Sequence, residues 1–420
     1  MTTSDGTCFV WIWLPDATTP LVAGKLTHTQ GRTLFTYGQS YLERHNAIAV
    51  YDQELPLRPG PQEMETADLP GCLRDSAPDA WGRRVILNRL LGIKGKDSDP
   101  ARLDEMTYLL ESGSDRIGAL DFQASATDYV PRLAAEATLE VLLDAAAHVE
   151  QGIPLTPELD QALHHGSSIG GARPKALLDG SDRKYIAKFS ASSDVYNIIK
   201  AEFVAMRLAA RCGLNVADVK LARASGKDVL LIERFDRTAS PQDWQRKLML
   251  SALTLLHLSE MTARYASYQD FTEIIRHRFT QPRETLKELF GRLVFNILCS
   301  NTDDHARNHA AFWDGHRLTL TPAYDICPQL RSGGEASQAM AIVDGDATSR
   351  LITCRKAAPA FLLSETDAHR IITHLLATIR QHLPSVCDEA MLAPTERQLF
   401  QARLFLPAYA FEGDRLSPQS

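Results

Sequence analysis

Between residues 8 and 52 short apolar runs alternate with turn residues, as in "LVAGKLTH" and "AIAVYD", and this period of two predicts small antiparallel strands. The period changes at "PDAWGRRVILNRLLG" (78–92), where Trp81, Val85, Ile86, Leu90 and Leu91 fall on one helical face and Gly92 supplies a stop. These elements predict an N-terminal α+β subdomain over 1–155. Two strands return in "SSIGGARPKALLDGSDRKYIAKFS" (167–190), joined by a polar Asp-Gly-Ser-Asp turn and preceded by a loop carrying two glycines. A helix is predicted over 197–212, with Ile199, Phe203, Met206 and Ala210 as its buried stripe and Gly213 as its end. The strands "ADVKLARA" and "DVLLIERFD" complete a small mixed sheet carrying one helix, assigned to 156–244. From 245 to 420 the pattern is helical, through "KLMLSALTLL", "FTEIIRHRF", "ETLKELFGRLVFNILC" and "DAHRIITHLLATIRQHL". One interruption, "HAAFWDGHRLTLTPAYDI" (309–326), predicts a hairpin that turns near Asp314-Gly315 and delivers Asp325 at its exit.

Composition narrows the class without naming it. Over 420 residues, 44% apolar and 23% charged residues are ordinary globular usage, sufficient for subdomains with sizeable cores. The net charge of −7 and the scattered basic residues argue against strong autonomous nucleic-acid binding. "CFVWIWLP" (8–15) is short, has no preceding Lys or Arg, and predicts a strand rather than a signal peptide. No apolar run reaches membrane-spanning length, so no membrane partner is expected. The seven cysteines are widely separated, with no Cys-x-x-Cys pair, which predicts buried, reduced thiols and a cytoplasmic location.

The chemistry concentrates in "CSNTDDHARNHAAF" (299–312). A strand-rich lobe followed by a helical lobe is the layout of protein-kinase-like enzymes, which bind ATP in the cleft between the lobes. In that template an aspartate orients the acceptor hydroxyl and an asparagine five positions later helps hold a metal ion. Asp303 and Asn308 have this spacing, whereas Asp304 stands only four positions before Asn308. Asp325, leaving the hairpin, takes the place of a second oxygen ligand for Mg2+, although its motif is Tyr324-Asp325-Ile326. Lys188 in "YIAKF" resembles the strand lysine that pairs with ATP phosphates, and Glu202 in the next helix is its candidate partner. Gly170 and Gly171 permit close backbone approach to phosphate oxygens. "IERFDR" (232–237) is placed to offer backbone groups to adenine. Each feature has a plainer reading: a solvated lysine, a turn glycine, a core cysteine at Cys299, or zinc ligation by His305 and His309. The order of the parts favours phosphoryl transfer.

Taken together, these segments resemble the HipA family of serine/threonine protein kinases, toxins of type II toxin–antitoxin systems. The resemblance is carried by "LRDSAPDAWGRRVI", "SSIGGARPKALL", "YIAKF", "LLIERFDR", "NTDDHARNHAAF" and "LTPAYDICP" in that order. It implies an α+β, protein-kinase-like bilobal fold with a small β-rich N-terminal subdomain and a helical C-terminal lobe. It implies Asp303 as proton acceptor, and Asn308 and Asp325 as magnesium ligands. Gly170, Gly171, Ala172, Arg173, Pro174 and Lys175 would form the phosphate loop and Lys188 would contact ATP. Glu233, Arg234 and Phe235 would line the adenine pocket, with His305, Ala306, Arg307, Asn308, Tyr324 and Asp325 near phosphates and metal. It implies autophosphorylation of Ser168, with Ser167 the adjacent alternative. It further implies a HipB-like helix-turn-helix antitoxin that carries the DNA contact, and a protein substrate such as glutamyl-tRNA synthetase or another translation factor. Two readings stay open beside it: a small-molecule or lipid kinase of the same fold, and a catalytically silent co-repressor.

Overall fold

The computed structural model describes residues 6–29, 32–63, 69–91, 103–133, 137–163, 168, 171–180, 182–330 and 333–417. The chain divides into two compact units. The first comprises Met1–Ser193, Ala222–Leu250 and Phe312–His316, and the second Asp194–Leu221, Ser251–Ala311 and Arg317–Ser420. Helix 198–211 thus belongs with the helical part of the chain, not with the strands that flank it in sequence.

The first unit holds two antiparallel arrays. Strands β1 (Thr7–Ile12), β2 (Leu21–Thr29), β3 (Arg32–Tyr37), β4 (Pro61–Glu63) and β5 (Leu120–Gln123) form a sheet in the order β4-β3-β2-β1-β5. Alternation places Cys8, Val10 and Ile12 inside, as a half-buried strand requires. The run "AIAVYD" is not a strand. Its Ile48 and Val50 backbone groups are satisfied by the hydroxyls of Tyr41 and Tyr37, so the segment buries its apolar side chains as coil. Helices α1 (Ala80–Leu91) and α2 (Leu139–Gln151) bury Trp81, Val85, Leu142, Ala146 and Val149 against a second sheet. On α1, Leu90 and Leu91 are exposed rather than part of the predicted stripe, and Gly92 lies outside the described residues.

That second sheet contains β6 (Lys175–Asp179), β7 (Lys184–Phe189), β8 (Val219–Ala224) and β9 (Lys227–Glu233), in the order β6-β7-β9-β8. Of the turn joining β6 to β7, Gly180 closes on Arg183 through a 2.8 Å backbone bond, and Ser181 lies outside the described residues. Two short strands, β10 (Arg237–Ala239) and β11 (Trp244–Arg246), pair beyond β9.

In the second unit, helix α3 (Ile198–Arg211) is capped by Asn197, whose side chain accepts from Lys200 N at 3.1 Å. It is buried almost all round, but Arg207 is half-buried and Arg211 is exposed, as is Ala210, which the predicted stripe had included. Helices α4 (Tyr268–Arg278), α5 (Pro282–Leu298) and α6 (Glu365–Glu389) supply the remaining core. The run 286–298 of α5 is buried on nearly every face, so α5 is the central helix of the unit. Its Arg292 is buried yet satisfied by Glu288 Oε1 at 2.8 Å and by the carbonyls of Asn215 and Thr321.

"KLMLS" is a strand, β12 (Met249–Ser251), rather than the helical start predicted; the carbonyl of Leu248 accepts from Trp313 N at 2.9 Å. The predicted hairpin is present as β13 (Ala310–Trp313) and β14 (Leu318–Leu320). Gly315 turns it with φ +98°, and a Cβ there would lie 2.4 Å from Ile48 Cγ2. Among the described residues no helix is long and apolar enough to cross a membrane.

Candidate active site

In the second unit, α5 ends at Cys299 and Ser300 enters the left-handed region at φ +55°, turning the chain out of the helix. Asn301 holds this exit: its N–H donates to Asn296 O at 2.8 Å, and its side-chain amide to Asn296 Oδ1 at 3.1 Å. The loop is therefore anchored at its root. The two acids that follow part company. Asp303 is exposed, whereas Asp304 is 1% exposed. Asp304 Oδ1 accepts from His309 Nε2 at 2.9 Å and Oδ2 accepts from the Tyr268 hydroxyl. Burial alone would raise the Asp304 pKa, but His309 and the hydrogen bonds of His309, Tyr268 and Asn296 hold it below the usual carboxylate range. Tyr268 moves the other way, driven well up by burial and then by the Asp304 carboxylate.

The loop closes on itself further along. A 3₁₀ turn, Ala306–Asn308, brings the Asn308 amide back to donate from Nδ2 to Asp303 O at 3.0 Å. With its nitrogen committed there, the amide presents its oxygen the other way. Tyr324 Oη donates to Arg307 O at 2.7 Å, tying the residue before Asp325 to the residue before Asn308. Asp325 itself has φ +58°, an uncommon conformation for a residue with a Cβ and one that gathers at functional sites. Arg307 pairs with Glu260, which steadies the turn from outside.

In the first unit, Lys175 and Lys188 are register partners on β6 and β7, so their side chains share one face, and both are buried. Gly171 has φ +100°, and a Cβ there would fall 2.2 Å from Lys175 Nζ. A side chain at 171 would fill the space the lysine ammonium occupies. Gly171 is pinned from α1 and its approach: its N–H donates to Asp79 Oδ2 at 2.6 Å and its carbonyl accepts from Trp81 N at 3.2 Å. Arg84 donates to Ala172 O, and Trp81 Nε1 to Lys175 O at 2.9 Å. Asp79, Trp81 and Arg84 are thus anchors of the glycine turn that sequence reasoning left without a role; the compact motif "DAWGRR" was the available signal. Gly170 and Ser167 lie outside the described residues. Pro174 is buried, and its carbonyl accepts from Phe189 N at 3.0 Å, while Ala172 is exposed and Arg173 half-buried. Ser168 is 1% exposed, and its hydroxyl donates to Asp115 O at 3.4 Å.

The segment leaving β9 behaves differently from a pocket lining made of side chains. The Arg234 guanidinium is buried, with Asp236 at 2.8 Å, Asp115 at 3.0 Å and the Arg116 carbonyl at 2.6 Å. Arg237 joins the same two carboxylates at 2.8 and 2.9 Å. Arg234 therefore offers a ligand only its main chain, and its N–H already donates to Lys184 O at 2.8 Å. Glu233 pairs with Arg183, and Phe235 lies edge-on to Phe312 with centroids 6.0 Å apart. Glu202 sits 2% exposed on α3 in the second unit.

Tested against a magnesium nucleotide, the residues present fit. Asn308 and Asp325 are hard oxygen donors on segments tied together by the Tyr324 hydroxyl and Arg307 O, and magnesium needs few protein ligands because it keeps several waters. Buried ammonium groups on one face beside a glycine turn suit phosphate oxygens. The Nδ1 of His305 is buried with no hydrogen-bond partner, a polar vacancy inside the same loop. A zinc centre finds no such support: among the described residues no group of three or more His, Cys, Asp or Glu is set to hold a metal. His309 is spent on Asp304.

A strand-rich unit with paired lysines and a helical unit with an Asp-x-x-x-x-Asn loop define an α+β protein of kinase-like fold. Residues 14–123 match the HipA N-terminal domain and residues 167–383 the HipA-like C-terminal domain. The chain belongs to the HipA family. It is 25% identical over 337 residues to "Putative kinase Y4mE" of Sinorhizobium fredii, covering 73% of this chain and 74% of that one. It is 23% identical over 250 residues to the serine/threonine-protein kinase toxin HipA of Shewanella oneidensis, covering 54% and 57%. Its fold is shared with HipA in the solved complex of Shewanella oneidensis HipA, HipB and operator DNA. That match has a TM-score of 0.64 at 17% identity and covers 93% of this chain and 94% of the other.

Proposed function

We propose that this protein is an ATP- and magnesium-dependent serine/threonine kinase that serves as the toxin of a toxin–antitoxin pair. The observation that carries the reading is the division of labour at 303–304. Of two adjacent acids, Asp304 is buried and doubly hydrogen-bonded, while Asp303 stands exposed five residues before an asparagine oriented by its own carbonyl. Asp303 orients the acceptor hydroxyl and takes its proton. Asn308 and Asp325 hold the metal, which neutralises charge on the transferred phosphoryl group when bound. Lys175, Lys188 and the turn at Gly171 bind phosphate oxygens, and the main chain at 233–235 faces adenine.

Regulation and partners extend the same reading. Ser168 is the autophosphorylated serine; since its hydroxyl is buried against Asp115 O, Ser168 must leave this position before modification. A phosphate on Ser168 would add about two negative charges and disfavour return. Family membership and the Shewanella oneidensis HipA–HipB–operator complex support a HipB-like helix-turn-helix antitoxin as partner, with DNA contacted mainly through it. The protein substrate belongs to translation, with glutamyl-tRNA synthetase the first to try, and the protein works in the cytoplasm.

Asp303→Asn tests the central assignment. The variant should keep the wild-type melting temperature and lose transfer of labelled γ-phosphate by roughly 10²–10⁴-fold, the usual worth of a positioned base. Full transfer by this variant would overturn the role of Asp303. Phosphoproteomics after expression of wild type beside Asp303→Asn would then identify the substrate.

A further inference from the structure

Between α4 and the 299–312 loop lies a closed polar cluster buried in apolar surroundings: Tyr268 is 0%, Asp304 1% and His309 2% exposed. Tyr268 Oη approaches His309 Nε2 at 3.1 Å as well as bonding Asp304, so the three side chains form a ring of contacts. The rings of Tyr268 and His309 meet edge to face at 5.4 Å, and Phe271 closes the far side of His309 at 6.2 Å. His309 Nδ1 is buried without a hydrogen-bond partner, while Nε2 is the ring nitrogen that donates to Asp304 Oδ1 at 2.9 Å. A carboxylate this deep persists only because donors surround it. The cluster is also tied to its neighbours through main chain: Tyr268 N donates to Ala341 O at 2.8 Å and His309 O accepts from Ala252 N at 2.7 Å.

From this we infer that Tyr268, Asp304 and His309 are positioning residues for the phosphoryl-transfer loop: they clamp the chain at 304 inward so that Asp303 is presented outward. The inference rests on the kinase reading for its chemistry but not for its geometry. Asp303 and Asp304 are consecutive in an irregular stretch that turns at 304, where His305 N donates to Asp303 O at 3.0 Å, and the two side chains part there, Asp304 into the core and Asp303 toward solvent. The same peptide carries the Asp303 carbonyl that orients the Asn308 amide, so the clamp fixes the base and the metal-binding amide together. None of the three side chains touches a reacting atom. Their effect passes through the backbone at 303–304.

The test pairs hydrogen exchange with kinetics on the full chain. Tyr268→Phe removes one hydroxyl and keeps the ring, and His309→Gln keeps a donor while losing the aromatic contact; Asp304→Asn is the more disruptive third variant. In Tyr268→Phe, amides 303–309 should exchange at least tenfold faster while those of α6 stay as in wild type. Transfer should show kcat reduced about 10–50-fold with KM for ATP within twofold. Adding Tyr268→Phe to Asp303→Asn should cost nothing more, because both changes act through one group. Unchanged loop exchange in Tyr268→Phe and His309→Gln would overturn the clamp, and so would a full additive loss on top of Asp303→Asn. If wild type transfers no phosphate at all, the kinase reading fails, and the exchange measurement still decides whether the clamp exists.

Discussion

A single methyl group decides whether the turn of the β13–β14 hairpin forms. Gly315 sits at φ +98°, where an L-residue is strained, and Ile48 lies within 2.4 Å of where a Cβ would go. Two costs combine: about 1–2 kcal/mol for the left-handed backbone, and about 1–3 kcal/mol for overpacking against Ile48. Gly315→Ala should therefore destabilise the protein by about 2–4 kcal/mol, read as a lower urea midpoint at unchanged slope. A loss under half a kcal/mol would show that turn and neighbour relax freely. Asp325, five residues past the same hairpin, carries its positive φ with a charged side chain instead of a glycine. Strain of this kind gathers at functional sites.

At the scale of elements, the segment leaving β9 is organised by charge. Arg234, Arg237, Asp115 and Asp236 are all under a tenth exposed, and Lys184 reaches Asp115 at 3.1 Å. Burial pushes the Asp236 pKa upward, but Arg234 and Arg237 overcome it and bring the group down from 3.8 to about 2. A carboxylate whose folded pKa is depressed contributes stability above its unfolded pKa and loses it as pH falls toward the folded value. Acid unfolding should therefore steepen between about pH 4 and pH 2, and Asp236→Asn should flatten that limb in pH-dependent thermal melts. At neutral pH Asp236→Asn should cost about 3–5 kcal/mol, because it leaves buried guanidinium groups under-compensated. Such a network was illegible in "IERFDR", since an arginine at a strand exit looks the same in sequence whether it faces a ligand or the core. What the hydrophobic pattern does specify was legible: the β6–β7 and β13–β14 hairpins and helix 198–211, whose first predicted residue, Asn197, is instead its cap. It misled where buried coil and buried strand imitate other elements. "AIAVYD" lost its ladder to two tyrosine hydroxyls, and in "KLMLS" three consecutive apolar residues, Leu248, Met249 and Leu250, are all buried and show no period. The Tyr268–Asp304–His309 cluster was out of reach because its members come from positions 268 and 304–309, a separation no local pattern spans.

For the whole molecule, the chemistry open to it is narrowed by what is buried. All seven cysteines are buried, and burial, the largest cause in each case, drives Cys8 and Cys212 up to about 12 and Cys387 to about 11, so these three offer no reactive thiolate near neutral pH. The proposed ligand contacts fall at two places, the lysine pair by Gly171 and the loop at 303–308 with Asp325. A ligand that binds the native state alone adds RT ln(1 + [L]/Kd) to stability, about 2.7 kcal/mol at a hundredfold excess over Kd. Units of this size gain roughly 2–4 °C per kcal/mol, so saturating magnesium-ATP should raise the melting temperature by about 5–10 °C. The two places separate in the pattern of loss. Chelating the magnesium, or substituting Asp325→Asn, should remove the metal-dependent part of the shift and leave a smaller one with ATP alone. Lys188→Met should reduce the shift under both conditions, because it acts on phosphate rather than on metal. If magnesium-ATP gave no shift at millimolar concentration, the phosphate and metal assignments would fall together. An equal shift in Asp325→Asn and wild type would remove Asp325 alone from the metal site.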